Sequence, residues 1–248
     1  MKREPLLDTA YFDKCLIFYK EKIEQKKERL ESKSTDVKRW DLVYAFLFDA
    51  QLHNIYNNYS KGTAVNEIIA LIHETTDTYI TYIQHPTAEL LSFKDSYIMY
   101  EEALSILSLN LIIGTNREVM NKLASTYDLL GKDLLMDKML SIALPERKIN
   151  NKLAWPKIYE KLYAVFTSNK EDQPQLMKAY LSDWYKTMKK ASWHGTHKRP
   201  DLCAFSGYWS MEAAATTRIL KIDDAVFKDL PYYPADLVHY NYGLVNEK

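Results

Sequence analysis

Six glycines and eight prolines in 248 residues cannot supply the tight turn every 8–12 residues that a sandwich or barrel requires. The chain must therefore join long elements through few connections. Apolar residues recur three and four positions apart along most of its length and alternating β-branched runs are scarce, which is the pattern of amphipathic helices. A content of 47% hydrophobic and 27% charged residues is that of a globular protein, and a chain of this length can bury roughly three quarters of its unfolded surface. The expected fold is all-α, an irregular bundle of nine to ten helices.

Helix signals divide the chain. Asp8 can cap a helix reaching about Leu30, with Phe12, Leu16, Tyr19 and Ile23 on one stripe and charges opposite. Thr35 or Asp36 opens a second, which Gly62 closes. Further helices are expected over about 63–83, 93–113 ending at Gly114, 116–130 and 132–143 on either side of Gly131, 156–166 led by Pro156, 174–191 and 202–220. A short helix begins at Asp223 or Asp224. Residues 192–200 read as a loop, and the PYYP run at 231–234 as extended. The charged connection Pro145–Leu153 separates an N-terminal half, 1–145, from a C-terminal half, 146–248, packed as one unit. Helix pairs about 35–45 residues long suggest a repeat adaptor, but no motif recurs at a fixed period.

Charge narrows the functional classes. Lys+Arg and Asp+Glu are both 33, so the cationic excess typical of nucleic-acid binders is missing. The distribution is uneven: net charge is +3 over residues 1–40, −7 over 41–116, +7 over 117–199 and −3 over 200–248. The acidic block offers Asp41, Asp49, Glu67, Glu74, Asp77, Glu101 and Glu102 as anchors for a cationic partner. Glu67, Glu74 and Asp77 fall near one face of a single helix. Basic residues elsewhere in the fold can meet part of this charge internally. No window has the apolar core of a signal peptide or a membrane span, so a cytoplasmic protein that does not contact membranes is expected. Cys15 and Cys203, read as lying on two helices at opposite ends of the chain, are expected to stay reduced.

Catalytic constellations are weak. His194 and His197 are three apart in a loop with no anchored third ligand, and His73–Glu74 adjoin without one, so no metal site is expected. GxSxG, GxxxxGK[ST] and GxGxxG patterns are absent, which leaves no nucleotide cofactor and no hydrolase elbow. An all-α enzyme would have to use Glu212 with His194 or His197. Nineteen tyrosines are either core filling or exposed anchors. In GYWSMEAAATTRIL, Trp209 is expected to be buried, and the Glu212 carboxylate, set in an Ala-rich apolar helix, must find hydrogen-bond donors.

The same residues carry a family resemblance. GYWSMEAAATTRILKIDD followed by YYPADLVHY resembles the C-terminal signature of the PoNi family, immunity proteins for PoNe-type DNase toxins, in which a G-Y-W-[ST]-x-E-A-A-A helix precedes Y-Y-P-x-D-L. RWDLVYAFLFDAQLHNIYNNYSKGTAVNEI, with its Tyr59-Ser60-x-Gly62 turn, is similar to the N-terminal half of that family, so the likeness spans most of residues 8–240. It implies an all-α, non-enzymatic, cytoplasmic protein that binds a cognate PoNe-type DNase and protects the producing cell from a toxin delivered between bacteria. Residues carried over as scaffold are Gly207, Tyr208, Trp209, Glu212, Ala213, Tyr232, Tyr233, Pro234 and Asp236, while Met211 and Ala235 occupy variable places. Such toxins expose cationic surface to phosphates, which the acidic block would complement.

Overall fold

The computed structural model describes residues 2–32 and 38–242. Among these it holds ten α-helices, two 3₁₀ turns and no strand: α1 (Thr9–Ser32), α2 (Trp40–Lys61), α3 (Val65–Gln84), α4 (Tyr97–Ile113), α5 (Arg117–Leu130), α6 (Leu134–Ala143), α7 (Pro156–Thr167), α8 (Gln173–Thr187), α9 (Met211–Leu220) and α10 (Ala235–His239). The all-α expectation holds. Helix starts follow the capping chemistry: Asp8 Oδ1 accepts the Tyr11 amide at 2.8 Å, and Ser96, Asn116 and Asp133 each accept the amide three residues on, satisfying donors a first turn leaves open. Gly62 and Gly114 close α2 and α4 with φ of 102° and 69°, a left-handed backbone that glycine adopts without a Cβ penalty. The expected cap at Thr35 or Asp36 lies outside the described residues.

Three stretches differ from the sequence reading. Helix was expected from Leu202, but the chain makes a 3₁₀ turn at Pro200–Leu202, enters a left-handed conformation at Cys203 (φ 50°) and reaches α9 only at Met211. Side chains from distant helices bind the backbone in between and outcompete local helical bonds. Cys203 is therefore not on a helix. The short helix expected at Asp223 or Asp224 is a run of turns, in which Asp223 Oδ1 takes the Ala225 amide at 3.0 Å and the Asp224 carbonyl takes Phe227 N at 2.9 Å. The short helix follows Pro234 instead. Tyr232 in PYYP has φ 73°, so that run is a turn and not an extended segment.

The chain divides into two compact units, one of residues 1–90 with 195–208, the other of 91–194 with 209–248. In the second unit α5 and α6 stay with α4, and α4 packs on α9. In the first unit α2 packs against both α1 and α3 over Phe12, Phe48, Ile55, Ile68, Ile72 and Tyr79. The 203–208 strip is held there by side chains. Tyr11 Oη donates to the Phe205 carbonyl at 2.7 Å and accepts the Phe205 amide at 3.1 Å. Tyr19 Oη donates to the Cys203 carbonyl at 2.9 Å and Ser60 Oγ to the Ser206 carbonyl at 2.7 Å. The thiols of Cys15 and Cys203 are both free and buried, and burial pushes the Cys15 thiol up to about 12, which keeps it protonated and unreactive.

The second unit is built around α4, buried on nearly every side as its all-round apolar sequence requires. Ala213, Ala214 and Ala215 of α9 are completely buried and let α4 and α9 approach closely. Glu212, at the start of α9, is 8% exposed. Its Oε1 accepts Tyr180 Oη at 2.7 Å, Trp184 Nε1 at 2.6 Å and Ser210 Oγ at 2.7 Å. One carboxylate oxygen thus ties α8 to the entry of α9. Burial raises the Glu212 pKa, and the three donors oppose that rise.

Trp209 is half-buried, short of the enclosure expected of it, because it precedes α9 on non-helical backbone where Ser210 N donates to the Tyr232 carbonyl at 2.8 Å. Replacing Glu212 with Ala strands three buried donors, and the expected loss is about 3 kcal/mol or more in urea unfolding. Glu212→Gln keeps an acceptor oxygen and should lose clearly less. Equal stability of all three proteins would show that the carboxylate ties nothing.

Candidate partner-binding face

The helical period places Glu67, Glu74 and Asp77 within an arc of about 80° on α3, rising about 15 Å from first to last. All three are exposed. The opposite side of α3, with Ile68, Ile72, Tyr79 and Ile83, is buried, so packing of the apolar stripe fixes which way the carboxylates point. Glu67 sits in the first turn, where the helix dipole favours an anion. Glu74 is half-exposed, in an ion pair with Lys27 of α1, and accepts Gln51 Nε2 at 3.1 Å. Part of its charge is therefore met within the molecule.

The other acidic positions have different surroundings. Asp49 of α2 is exposed, with His53 Nε2 at 3.7 Å. Asp41 is only 1% exposed: both its oxygens are taken by Arg39, at 2.9 and 2.7 Å, and Thr87 Oγ1 donates to Oδ1 at 2.6 Å. The Arg39 guanidinium holds its carboxyl down at about 2. Asp41 is a buried structural anion and drops out of the candidate docking set, since a residue that starts a helix beside Arg39 is paired before any partner arrives. Glu101 and Glu102 are half-buried in the second unit. Glu101 accepts the Trp193 indole N–H, and burial pushes its carboxyl up to about 7, with the nearby Glu212 charge adding to the rise.

The motif residues are woven into the packing. Tyr208 gives its amide to the Glu4 carboxylate at 3.3 Å, and its hydroxyl shares a hydrogen bond with His197 Nδ1 at 2.7 Å. Gly207 has φ 97°. Tyr233 is buried with its hydroxyl on Asp224 at 3.0 Å, and His239 Nε2 meets the same oxygen at 2.8 Å. Tyr232 is half-buried, stacked on Tyr185 and tilted against Trp184 at centroid distances of 5.4 and 5.3 Å. Pro234 and Ala213 are buried, whereas Asp236 is exposed. The histidines raised by the enzyme alternative are occupied in packing: His194 stacks on Tyr185 at 4.3 Å and His197 holds Tyr208. Among the described residues no three His, Cys, Asp or Glu side chains gather as a metal site, and no helix is long and apolar enough to cross a membrane.

Sequence reasoning missed a groove in the first unit, between α1 and α3 with α2 as its floor, lined by Leu16, Ile17, Gln51, Asn54, Leu71 and Glu74 among others. Ile17 and Leu71 lie outside the buried stripes, and only the tertiary arrangement brings them together.

Two family models match the chain: "PoNe immunity protein (PoNi), N-terminal" over residues 3–125 and "PoNe immunity proteins (PoNi), C-terminal" over residues 131–237. The chain belongs to the PoNi family. No curated protein matches it. Among solved structures, the crystal structure of protein PA2201 from Pseudomonas aeruginosa is similar with a TM-score of 0.77 at 19% identity, over 98% of this chain and 92% of that one, a likeness of fold. In this PoNi chain the GYWSMEAAA motif spans both units, with Tyr208 on Glu4 and His197 in the first and Glu212 on Tyr180, Trp184 and Ser210 in the second, while Tyr233 of YYPADL holds Asp224.

For Glu101 the sign of the pH effect follows from its raised carboxyl. The folded state holds the proton more tightly than the unfolded chain, so this group's contribution is greatest below about pH 4.5 and is lost as pH rises to about 7, by at most about 3 kcal/mol. Glu101→Gln, which retains the acceptor for Trp193, should show a shallower decline in stability between pH 5 and pH 8 than wild type. Identical declines would mean that Glu101 titrates like an exposed carboxylate.

Proposed function

We propose that this PoNi chain binds a cognate PoNe-type DNase toxin in the cytoplasm and neutralises it, with the exposed carboxylates of α3 receiving the nuclease's cationic surface. The family supplies the class of partner. The observation that carries the choice of surface is the row Glu67, Glu74 and Asp77, held outward by the buried stripe of α3. A nuclease must attract phosphate and so presents Lys and Arg, and an anionic face meets that surface before any specific contact forms. Such complementarity speeds encounter more than it deepens affinity, and it weakens with salt. Asp49 is a further exposed anion of the same unit. With a net charge of zero the chain has no field of its own for nucleic acid, so protection acts through the toxin and not by shielding DNA. No bound cofactor enters this reading.

The test is the triple reversal Glu67→Lys, Glu74→Lys, Asp77→Lys. Association with a catalytically inactivated PoNe-type nuclease that the wild-type chain binds should slow at least tenfold at low salt, with far-UV dichroism unchanged. Raising salt should narrow the gap between the two proteins. If the folded triple variant is captured at the wild-type rate and protects cells equally, the contact lies on another surface.

A further inference from the structure

Helix α4 is enclosed on all sides but one. Ile98, Glu101, Glu102 and Ser105 are its only residues that are not buried, and offsets of three, four and seven put them on a single stripe. Ile98 is 55% exposed. The segment after α8 borders this stripe, because the Trp193 indole N–H donates to Glu101 Oε1. Trp193 is half-buried, with one face stacked on the buried Trp184 at 5.2 Å and Tyr185 tilted beside it at 6.5 Å. Stripe, indole and phenol all belong to the second unit.

Glu101 lacks a counter-ion. Its Oε2 has no hydrogen-bond partner among the described residues, yet it is not sealed from water. No Lys or Arg among them lies close enough to offset the charge: the Trp193 N–H favours the anion, and the Glu212 carboxylate of α9 opposes it. Tyr97, one turn back on α4, and His194, stacked on Tyr185, are the other titratable groups at this place, and neither forms an ion pair with Glu101. An ammonium can pair with any exposed carboxylate, whereas a guanidinium also lies flat on an indole while its N–H fork reaches a carboxylate at the ring's edge. We propose that Trp193 and the open stripe of α4 form a seat for one arginine of the PoNe-type nuclease, the guanidinium stacked on the indole and bonded to Glu101 Oε2, the methylene stem against Ile98. This rests on the reading of the chain as a nuclease-binding protein and adds to the carboxylates of α3 a separate contact in the second unit.

Such a seat couples binding to protons, since only the ionised carboxylate holds the cation. With its pKa at about 7 in the free chain, Glu101 is about one tenth ionised at pH 6 and about nine tenths at pH 8, so affinity should rise about tenfold across that interval. Binding of the full chain to catalytically inactivated PoNe-type nucleases is measured from pH 6 to pH 8 for four proteins: wild type, Glu101→Gln, Trp193→Phe and Glu67→Lys/Asp77→Lys. Glu101→Gln, which keeps the acceptor for Trp193, should bind at least tenfold more weakly than wild type at pH 8 and lose the pH dependence. Trp193→Phe keeps a ring to stack on but loses the N–H that favours the anion, so its rise in affinity should be centred at higher pH, a shift that lost packing alone would not produce. The α3 pair should associate more slowly at low salt and keep the wild-type pH dependence. Hydrogen exchange of the wild-type complex should show new protection over 189–194, a readout that needs no variant to fold.

A folded Glu101→Gln that binds with wild-type affinity and wild-type pH dependence overturns the seat, while slower association of Glu67→Lys/Asp77→Lys in that same experiment keeps the α3 surface. Should Glu101→Gln fail to fold, a wild-type complex without new protection over 189–194 overturns the seat. Loss of the pH dependence in Glu101→Gln with unchanged association of the α3 pair keeps the seat and removes the steering. A wild type that captures no PoNe-type nuclease overturns both.

Discussion

A peptide strip inside a protein must give every buried amide and carbonyl a partner, and residues 203–208 have neither a strand beside them nor helical bonds of their own. Side chains of α1, α2 and the segment before α1 meet that demand: Tyr11, Tyr19 and Ser60 bind the backbone of the strip, Asn57 and His53 both reach the Ser206 hydroxyl at 2.8 Å, and the Glu4 carboxylate, ahead of α1, takes Tyr208 N. This explains polar side chains on faces that simple amphipathicity would make apolar. It also gives part of the tyrosine excess a purpose, since a phenol fills core volume and still carries a donor to the end of its ring.

A carboxylate plays the corresponding part in the second unit. Glu212 gathers three donors at one oxygen, and around it stand Tyr180, Trp184 and, beyond them, the stacked rings of Tyr185, Tyr232 and Trp193. The cost of burying a charge is reduced by hydrogen bonds, not by a cation, and the raised pKa of Glu212 and Glu101 is the remainder of that cost. Asp41 is the opposite case: a guanidinium with two parallel bonds leaves it firmly ionised. The acidic block visible in the sequence thus separates into buried anions that organise the fold and exposed ones available to a partner.

Local chemistry explains what could be read from the sequence. Capping residues and glycines marked most helix ends, because a first turn must satisfy its amides and a last turn its carbonyls within a few residues. Glu212 was identified as a buried hydrogen-bond acceptor because a carboxylate in an Ala-rich run has few alternatives. Long-range competition explains what could not. Leu202 to Ser210 looks helical by period, yet Tyr11, 194 residues away from Phe205, decides its conformation. Likewise Asp41 differs from Glu67 only through Arg39 and Thr87, and the groove exists only once α1 and α3 flank α2.

The order in which the chain visits its two units bears on how it is made. Residues 1–90 form most of the first unit, but the strip that completes it lies at 195–208, after more than a hundred residues that belong to the second. During synthesis α1, α2 and α3 leave the ribosome with the seat of that strip empty, and the Glu4 carboxylate and the Tyr11 and Tyr19 hydroxyls wait for partners not yet translated. The second unit must in turn take shape around a gap, since α9 arrives only after the strip. Neither unit is a cassette that can be finished early or exchanged whole between relatives, and the nascent chain passes through a long interval in which its apolar helix faces are open to chaperones or to one another.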